Sequence, residues 1–384
     1  MQKLIRITTI PISLDKLLDG QLRFMNNYFQ VTAVSSDPQY LEKIKVKEGV
    51  EVYNVEMTRK ITPVRDLIAI WRFYKYLKKE KPLIVHSHTP KAGLVGMLAS
   101  KLAGVPCRLH TVAGLPLIEA KGLKRKILMQ VEKLIYKTAT KVYSNSYGLS
   151  DFILGNNLLP KEKLKIIGNG SSNGINTNYF CLEAVEESLT FELKDKLNID
   201  PTDFVFIFVG RLVKDKGVNE LLAAFKKLSE ESINTKLLLV GPFEQELDPL
   251  STESLTLISE NKNIISVGYK KDVRPYFFIS DCLVFPSYRE GFPNVVMQAG
   301  AMELPAIVSD INGCNEIIEN GKNGIIVEPK NIESLVKAMK IMIEDKAFYQ
   351  KMKSNARQKI VDNYQREFVW NEILLEYQNC LKAQ

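Results

Sequence analysis

At 384 residues the chain is too long for one ordinary hydrophobic core and fits two domains. Its 45% hydrophobic and 25% charged content is the balance of a soluble globular protein. The formal charge of +8 hides an asymmetry: residues 1–170 carry 28 Lys and Arg against 13 Asp and Glu, whereas the remainder carries 24 against 31. A basic first half suits an anionic partner such as nucleic acid, a phospholipid surface or a charged lipid carrier. The five cysteines, at 107, 181, 282, 314 and 380, form no CxxC pair, which argues against a disulfide framework or a zinc site and for a reducing cytosol. No segment reaches the roughly 18–20 apolar residues needed to span a bilayer.

The opening "MQKLIRITTIPISLDKLLDG" meets proline and aspartate early and reads as a first strand rather than a signal peptide. Further strands follow at "VTAVSS", "VEVYNV", "PLIVHSH", "CRLHTV" and "KVYSNS". The run "IIGNGSSNGINTNYF", Ile166–Phe180, is rich in Gly, Asn and Ser and reads as a linker. A second series begins at "FVFIFVG" and continues through "KLLLVG", "NIISVG", "DCLVFPS", "PAIVSD" and "GIIVEP", with amphipathic stretches such as "VNELLAAFKKLSEE" between strands. Apolar strands alternating with helices predict parallel sheets covered on both faces. We therefore expect an α/β protein of two Rossmann-like, doubly wound domains facing across a cleft. The first takes residues 1–175 and the second 176–365, and the last helix, about 366–384, crosses back to the first domain.

Open parallel sheets bind ligands beyond the carboxyl ends of their strands. After "FVFIFVG" comes "RLVKDKGVNELLAAF", where Arg211 and Lys216 flank a helix start. Two cations beside free helix N–H groups suit a diphosphate. After "DCLVFPS" comes "YREGFPNVVMQAGAMELP", which puts Glu290 in a loop and Gln298 about one turn inside a helix starting near Asn294. A carboxylate there suits sugar hydroxyls or a developing cation better than phosphate. Of the three histidines, His110 ends a strand before a glycine-containing loop and is a candidate active-site group. His86 and His88 lack a third ligand at metal spacing, and one of the pair is expected to point into the fold.

Together these motifs resemble the retaining glycosyltransferases of family 4, with the GT-B fold, and in particular the bacterial capsular, exopolysaccharide and O-antigen enzymes. The resemblance covers nearly the whole chain and is strongest in "GRLVKDKG", "PSYREGFPNVVMQAGAMELP" and "DINGCNEIIENGKNGIIVEP". It implies that the first domain binds the acceptor and the second a nucleotide-sugar, with UDP favoured over GDP. Arg211 and Lys216 then hold the donor diphosphate, and Glu290 contacts the transferred sugar. Gly291 and the backbone of Phe292, Pro293, Asn294 and Val295 line the pocket. His110 matches the histidine near the reacting centre, and Gly20 matches the loop that approaches the phosphates. Three positions depart from the pattern. Gln298 replaces the second acid of E-x7-E, which typically meets the ribose. One glycine, Gly20, stands where two are usual, and Glu303 stands where glycine is common.

The expected reaction is transfer of a hexose or N-acetylhexosamine to a polyprenyl-diphosphate-linked sugar by front-face attack, with no metal and no other cofactor. The runs Lys121–Lys141 and "RDLIAIWRFYKYLKKEKP" are basic and amphipathic, which predicts peripheral contact with an anionic inner membrane, apolar face inward and basic rim outward. The alternatives are another GT-B enzyme, such as a nucleotide-sugar 2-epimerase, or a non-catalytic sugar-binding protein. Nucleic-acid binding explains the basic half but leaves "GRLVKDKG" and "EGFPNVV" without a role.

Overall fold

The computed structural model describes residues 1–118, 120–231, 234–244, 246 and 248–382. The chain divides into two units, Met1–Gly174 with Arg366–Gln384, and Ile175–Gln365.

The first unit is built on β1 (Lys3–Ile7), β2 (Gln30–Ser35), β3 (Glu51–Asn54), β4 (Ile84–His88), β5 (Cys107–Val112), β6 (Lys141–Ser144) and β7 (Leu164–Ile166). All neighbours pair in parallel, in the order β3-β2-β1-β4-β5-β6-β7. Strand order reverses between β1 and β4, the topological switch point. Six of the seven strands match runs read from the sequence. The seventh, β7, ends at the first residue of the expected linker; it is a three-residue edge strand, Leu-Lys-Ile, too short to show an alternation.

Helices α1 (Pro63–Glu80), α2 (Pro90–Ala103) and α3 (Gly122–Thr138) lie side by side on one face. The C-terminal helix Arg366–Lys382 packs on the other, where Val369, Ile373 and Tyr377 join Leu4, Ile84 and Leu109 in one cluster. The expectation that the apolar residues of α3 all turn inward needs correction. Ile135 is buried, but Leu123, Ile127 and Leu134 are exposed. At about 3.6 residues per turn those three share one side of the helix, a different side from that of Ile135.

A buried polar network ties β1 and β4 to the C-terminal helix. The Arg6 guanidinium is fully buried and donates to Tyr377 Oη (2.8 Å), Gln21 Oε1 (2.6 Å) and His88 Nε2 (2.8 Å). Arginine has no acceptor, so His88 Nε2 accepts and its proton sits on Nδ1. His86 bonds Tyr377 Oη through Nδ1 and Thr111 Oγ1 through Nε2, both at 2.7 Å. Burial holds both imidazoles well below their ordinary pKa, with Arg6 adding to the effect, so both are neutral. Both histidines are therefore buried, where one was expected to be. Residues two apart in a strand share a face.

The second unit carries β8 (Phe204–Val209), β9 (Thr235–Val240), β10 (Ile264–Gly268), β11 (Cys282–Phe285), β12 (Ala306–Ser309) and β13 (Gly324–Val327), all parallel, in the order β10-β9-β8-β11-β12-β13. The switch point lies between β8 and β11. Helix α4 (Val218–Ser229) follows β8 and α5 (Asn294–Ala301) follows β11. Strands such as "FVFIFV" are apolar at every position because helices cover both faces. Beyond α5 the chain turns at Glu303 with φ 65°, the left-handed region. This explains why glycine is common there, since a Cβ is disfavoured in that conformation.

Candidate active site at the second unit's switch point

Two loops meet at the carboxyl ends of β8 and β11. The first runs Gly210–Gly217 and contains the 3-10 turn Lys214–Lys216. Gly217 closes it with φ 69°, and a Cβ there would lie 2.0 Å from the Pro286 carbonyl oxygen of the second loop. Only glycine allows the N-terminus of α4 to approach β11 so closely. Backbone and side-chain bonds fix the junction: Tyr288 N donates to Asp215 O (2.9 Å), Ser287 Oγ to Arg289 O (3.1 Å), and Arg289 Nη2 pairs with Asp215 Oδ2 (2.9 Å).

Across this junction the Lys216 ammonium forms an ion pair with Glu290 Oε1. Both side chains are mostly shielded, at 17% and 15% exposure, so the pair is weakly screened. Lys216 Nζ also lies 5.7 Å from the Phe285 ring centroid. Arg211 sits at the exit of β8 and is more open; its Nη1 pairs with Glu244 Oε2 at 2.6 Å. Helix α5 starts after Pro293 with no side-chain cap, so the first-turn N–H groups, those of Asn294 and Val295 among them, are not claimed by one. Phe292 is buried, and Gly291 is held from behind, because Asn312 Nδ2 donates to the carbonyls of Glu290 (3.1 Å) and Gly291 (2.9 Å). Gln298 lies half-buried in the second turn of α5. A cation, a carboxylate and an uncapped helix start are thus assembled within one strand-end junction. Such a junction can hold an anion and orient hydroxyl groups.

Two expected residues stand differently. His110 is 2% exposed, under α2; its Nδ1 bonds Ser87 Oγ at 2.8 Å, and a Cβ on Gly93 would sit 2.6 Å from its Cε1. Burial lowers its pKa to about 4, so it is a neutral packed imidazole rather than a group presented on an open loop. The amide of Gly20, at the end of the loop expected to approach the phosphates, donates to Glu48 Oε1 at 3.0 Å. Glu48 is buried, with Oε2 accepting from Arg23 N at 3.1 Å, so this carboxylate claims that N–H within the unit. Sequence reasoning assigned no roles to Glu244 and Asn312. The first is a carboxylate just past β9 and the second lies inside the quoted "DINGCNEII" run, so their place after strand ends was the available signal. Among the described residues no group of three His, Cys, Asp or Glu could hold a metal ion.

Two family models cover most of the chain: "Glycosyl transferases group 1" at residues 190–359 and "Glycosyl transferase 4-like domain" at residues 26–170. The chain is 32% identical to the capsular polysaccharide biosynthesis glycosyltransferase CapM of Staphylococcus aureus over 384 residues, 99% of this chain and 98% of that protein. It is 30% identical to an Escherichia coli UDP-Gal:alpha-D-GlcNAc-diphosphoundecaprenol alpha-1,3-galactosyltransferase, over 80% of this chain and 78% of that one. Among solved structures, Anabaena HepE in complex with UDP superposes with a TM-score of 0.80 at 18% identity, over 99% of this chain and 100% of that one. The chain belongs to the group 1 glycosyltransferases, family 4, and has their GT-B fold of two Rossmann-like domains.

Proposed function

We propose that the protein transfers a hexose or N-acetylhexosamine, with retention, from a UDP-sugar to a polyprenyl-diphosphate-linked saccharide in surface polysaccharide assembly. The second unit takes the donor and the first the acceptor. The observation that carries this reading is the Lys216–Glu290 pair across the β8/β11 switch point, with Arg211 beside it. An arriving diphosphate competes with Glu290 for the Lys216 ammonium and with Glu244 for Arg211. Glu290 is then free to accept from a sugar hydroxyl. The anomeric C–O bond breaks, and the charge gathering on the departing phosphate oxygen is stabilised by the two cations and the first-turn N–H groups of α5. The acceptor oxygen bonds to the same face of the anomeric carbon, and its proton passes to the departing phosphate. The E. coli relative's name supports the UDP-sugar and the lipid diphosphate, and a Campylobacter jejuni relative is likewise named for a diphospho-undecaprenol acceptor. Bound UDP in HepE adds to the case for the base. The protein works as a peripheral enzyme on the cytoplasmic face of the membrane; no described helix is long and apolar enough to cross it.

The test is incubation with UDP-sugars and a detergent-dispersed lipid-linked saccharide, following UDP release and the product's anomeric signal by NMR. An α-linked sugar from an α-configured donor is expected, unchanged by a chelator. Lys216→Ala and Glu290→Ala should each lower turnover by about 100- to 1,000-fold, the usual effect of losing one preorganised electrostatic group. Inverted product, or chelator-abolished transfer that a divalent metal restores, would overturn the corresponding part of the proposal.

A further inference from the structure

Two cysteines of the first unit lie far apart in the chain and side by side in the fold. Cys107 opens β5, and Cys380 lies in the last turn of the C-terminal helix, which ends at Lys382. Both belong to the cluster that packs this helix against the sheet, with Ile84, Leu109 and Tyr377. Their side chains are in hydrogen-bonding contact, and both are thiols.

The two sulfurs differ. Cys107 is fully buried, whereas Cys380 is half-buried and open in part to solvent. The hydrogen bond to Cys107 holds the Cys380 thiol below its ordinary pKa, with Thr140 and the Arg108 guanidinium adding to the effect. The same bond, together with burial, pushes the Cys107 thiol up. Arg108 is fixed beside them because its donors go to the main-chain carbonyls of Thr138 (2.8 Å) and Val105 (2.6 Å). Glu376, one turn earlier on the helix, works against the Cys380 thiolate, but it is engaged by Lys165 and by the Tyr143 hydroxyl (3.2 Å). A thiolate beside a cation, with a second thiol in contact, is the arrangement of an attacking and a resolving sulfur. The other three cysteines are placed differently. Cys181 Sγ donates to Asn178 O (3.2 Å), and burial holds the Cys282 and Cys314 thiols well above their ordinary range.

We propose that Cys107 and Cys380 form a peroxide-responsive dithiol, whose oxidation to a disulfide staples the end of the C-terminal helix to β5. The Cys380 thiolate attacks one peroxide oxygen: the S–O bond forms, the O–O bond breaks and hydroxide leaves. The Cys107 sulfur then attacks the sulfenic sulfur, the S–S bond forms, and the hydroxyl departs with the Cys107 proton as water. Together the two sulfurs lose two electrons, and with the proton that Cys380 gave up the peroxide ends as two waters. A hydrogen-bonded pair of sulfurs needs only a small side-chain rotation to reach the bonded separation of about 2.05 Å. In a reducing compartment cellular thiols reopen the bond by exchange. Neither cysteine belongs to the strand-end junction of the second unit, so this response is independent of the sugar-transfer reading.

The full-length protein is treated with near-stoichiometric hydrogen peroxide, its remaining thiols are alkylated in denaturant, and the unreduced peptides are mapped by mass spectrometry. The expected result is a linked peptide joining Cys107 to Cys380, with both thiols recovered by dithiothreitol. Cys107→Ala, which keeps the buried site apolar, should stop at a Cys380 sulfenic acid that dimedone traps. Cys380→Ser should leave Cys107 reduced. Urea unfolding followed by tryptophan fluorescence should show a higher midpoint for the oxidised protein, because Trp370 lies on the stapled helix and a cross-link restricts the unfolded chain. The proposal is overturned if the folded protein yields no linked peptide, or if the linkage runs through Cys181, Cys282 or Cys314 instead. It is equally overturned by a Cys107→Ala protein whose Cys380 stays unmodified, or by an unchanged or lower midpoint on oxidation.

Discussion

Glu132 on α3 is a buried carboxyl, and its Oε2 has no hydrogen-bond partner among the described residues. Burial pushes its pKa from the ordinary 4.5 up to about 7. Between those values the folded chain keeps a proton that the unfolded chain has lost, so unfolding releases a proton there. Stability from this group is therefore greatest below about pH 4.5, falls as pH rises through 7, and stays lower above. A shift of this size corresponds to about 3 kcal/mol at full effect. Glu132→Gln keeps the shape and removes the ionisation. The variant should match the parent at pH 5 to within about 1 kcal/mol and exceed it at pH 8 by about 2–3 kcal/mol. Both tryptophans, Trp71 and Trp370, belong to the first unit, so urea unfolding followed by their fluorescence reports that unit by itself. The reasoning is refuted if the difference between the two proteins is the same at pH 5 and pH 8.

Glu303→Gly should stabilise the second unit by about 1 kcal/mol, because φ 65° disfavours a Cβ; thermal unfolding measures this, and a lower midpoint contradicts it. Tyr377→Phe removes the hydroxyl shared by Arg6 and His86 and should destabilise the first unit by about 2–4 kcal/mol, two buried groups losing a partner; unchanged urea unfolding contradicts it. Gly217→Ala should lower transfer activity strongly while secondary structure persists, since its Cβ collides with the Pro286 carbonyl; circular dichroism with a turnover assay separates the two effects.

The repeating alternation of apolar strands and helices made both sheets legible, because strands covered on two faces carry an apolar signal that needs no tertiary knowledge. The start of α5 at Asn294 and the depth of Gln298 within it were readable from Pro293 and the run that follows. The Lys216–Glu290 pair was not. The two residues are 74 positions apart, and they meet because β8 and β11 are neighbours, which strand order decides and local spacing does not. The packing of His110 was not legible because a strand end faces either a loop or a covering helix, and only Gly93 on α2 shows which. The apolar residues of α1 were expected to turn inward, but Val64, Leu67, Ile68 and Trp71 are exposed; which side of a helix apolar on two sides is covered depends on its neighbours.

The central claim is that Lys216 and Arg211 bind a diphosphate. Calorimetric titration of UDP and UMP onto the parent protein and an Arg211→Ala, Lys216→Ala double variant tests it most directly. The parent should prefer UDP to UMP by at least about ten-fold, since one charge-assisted hydrogen bond contributes roughly 1.5–3 kcal/mol, and the double variant should lose that preference while keeping its affinity for UMP. A double variant that binds UDP as tightly as the parent does would contradict it.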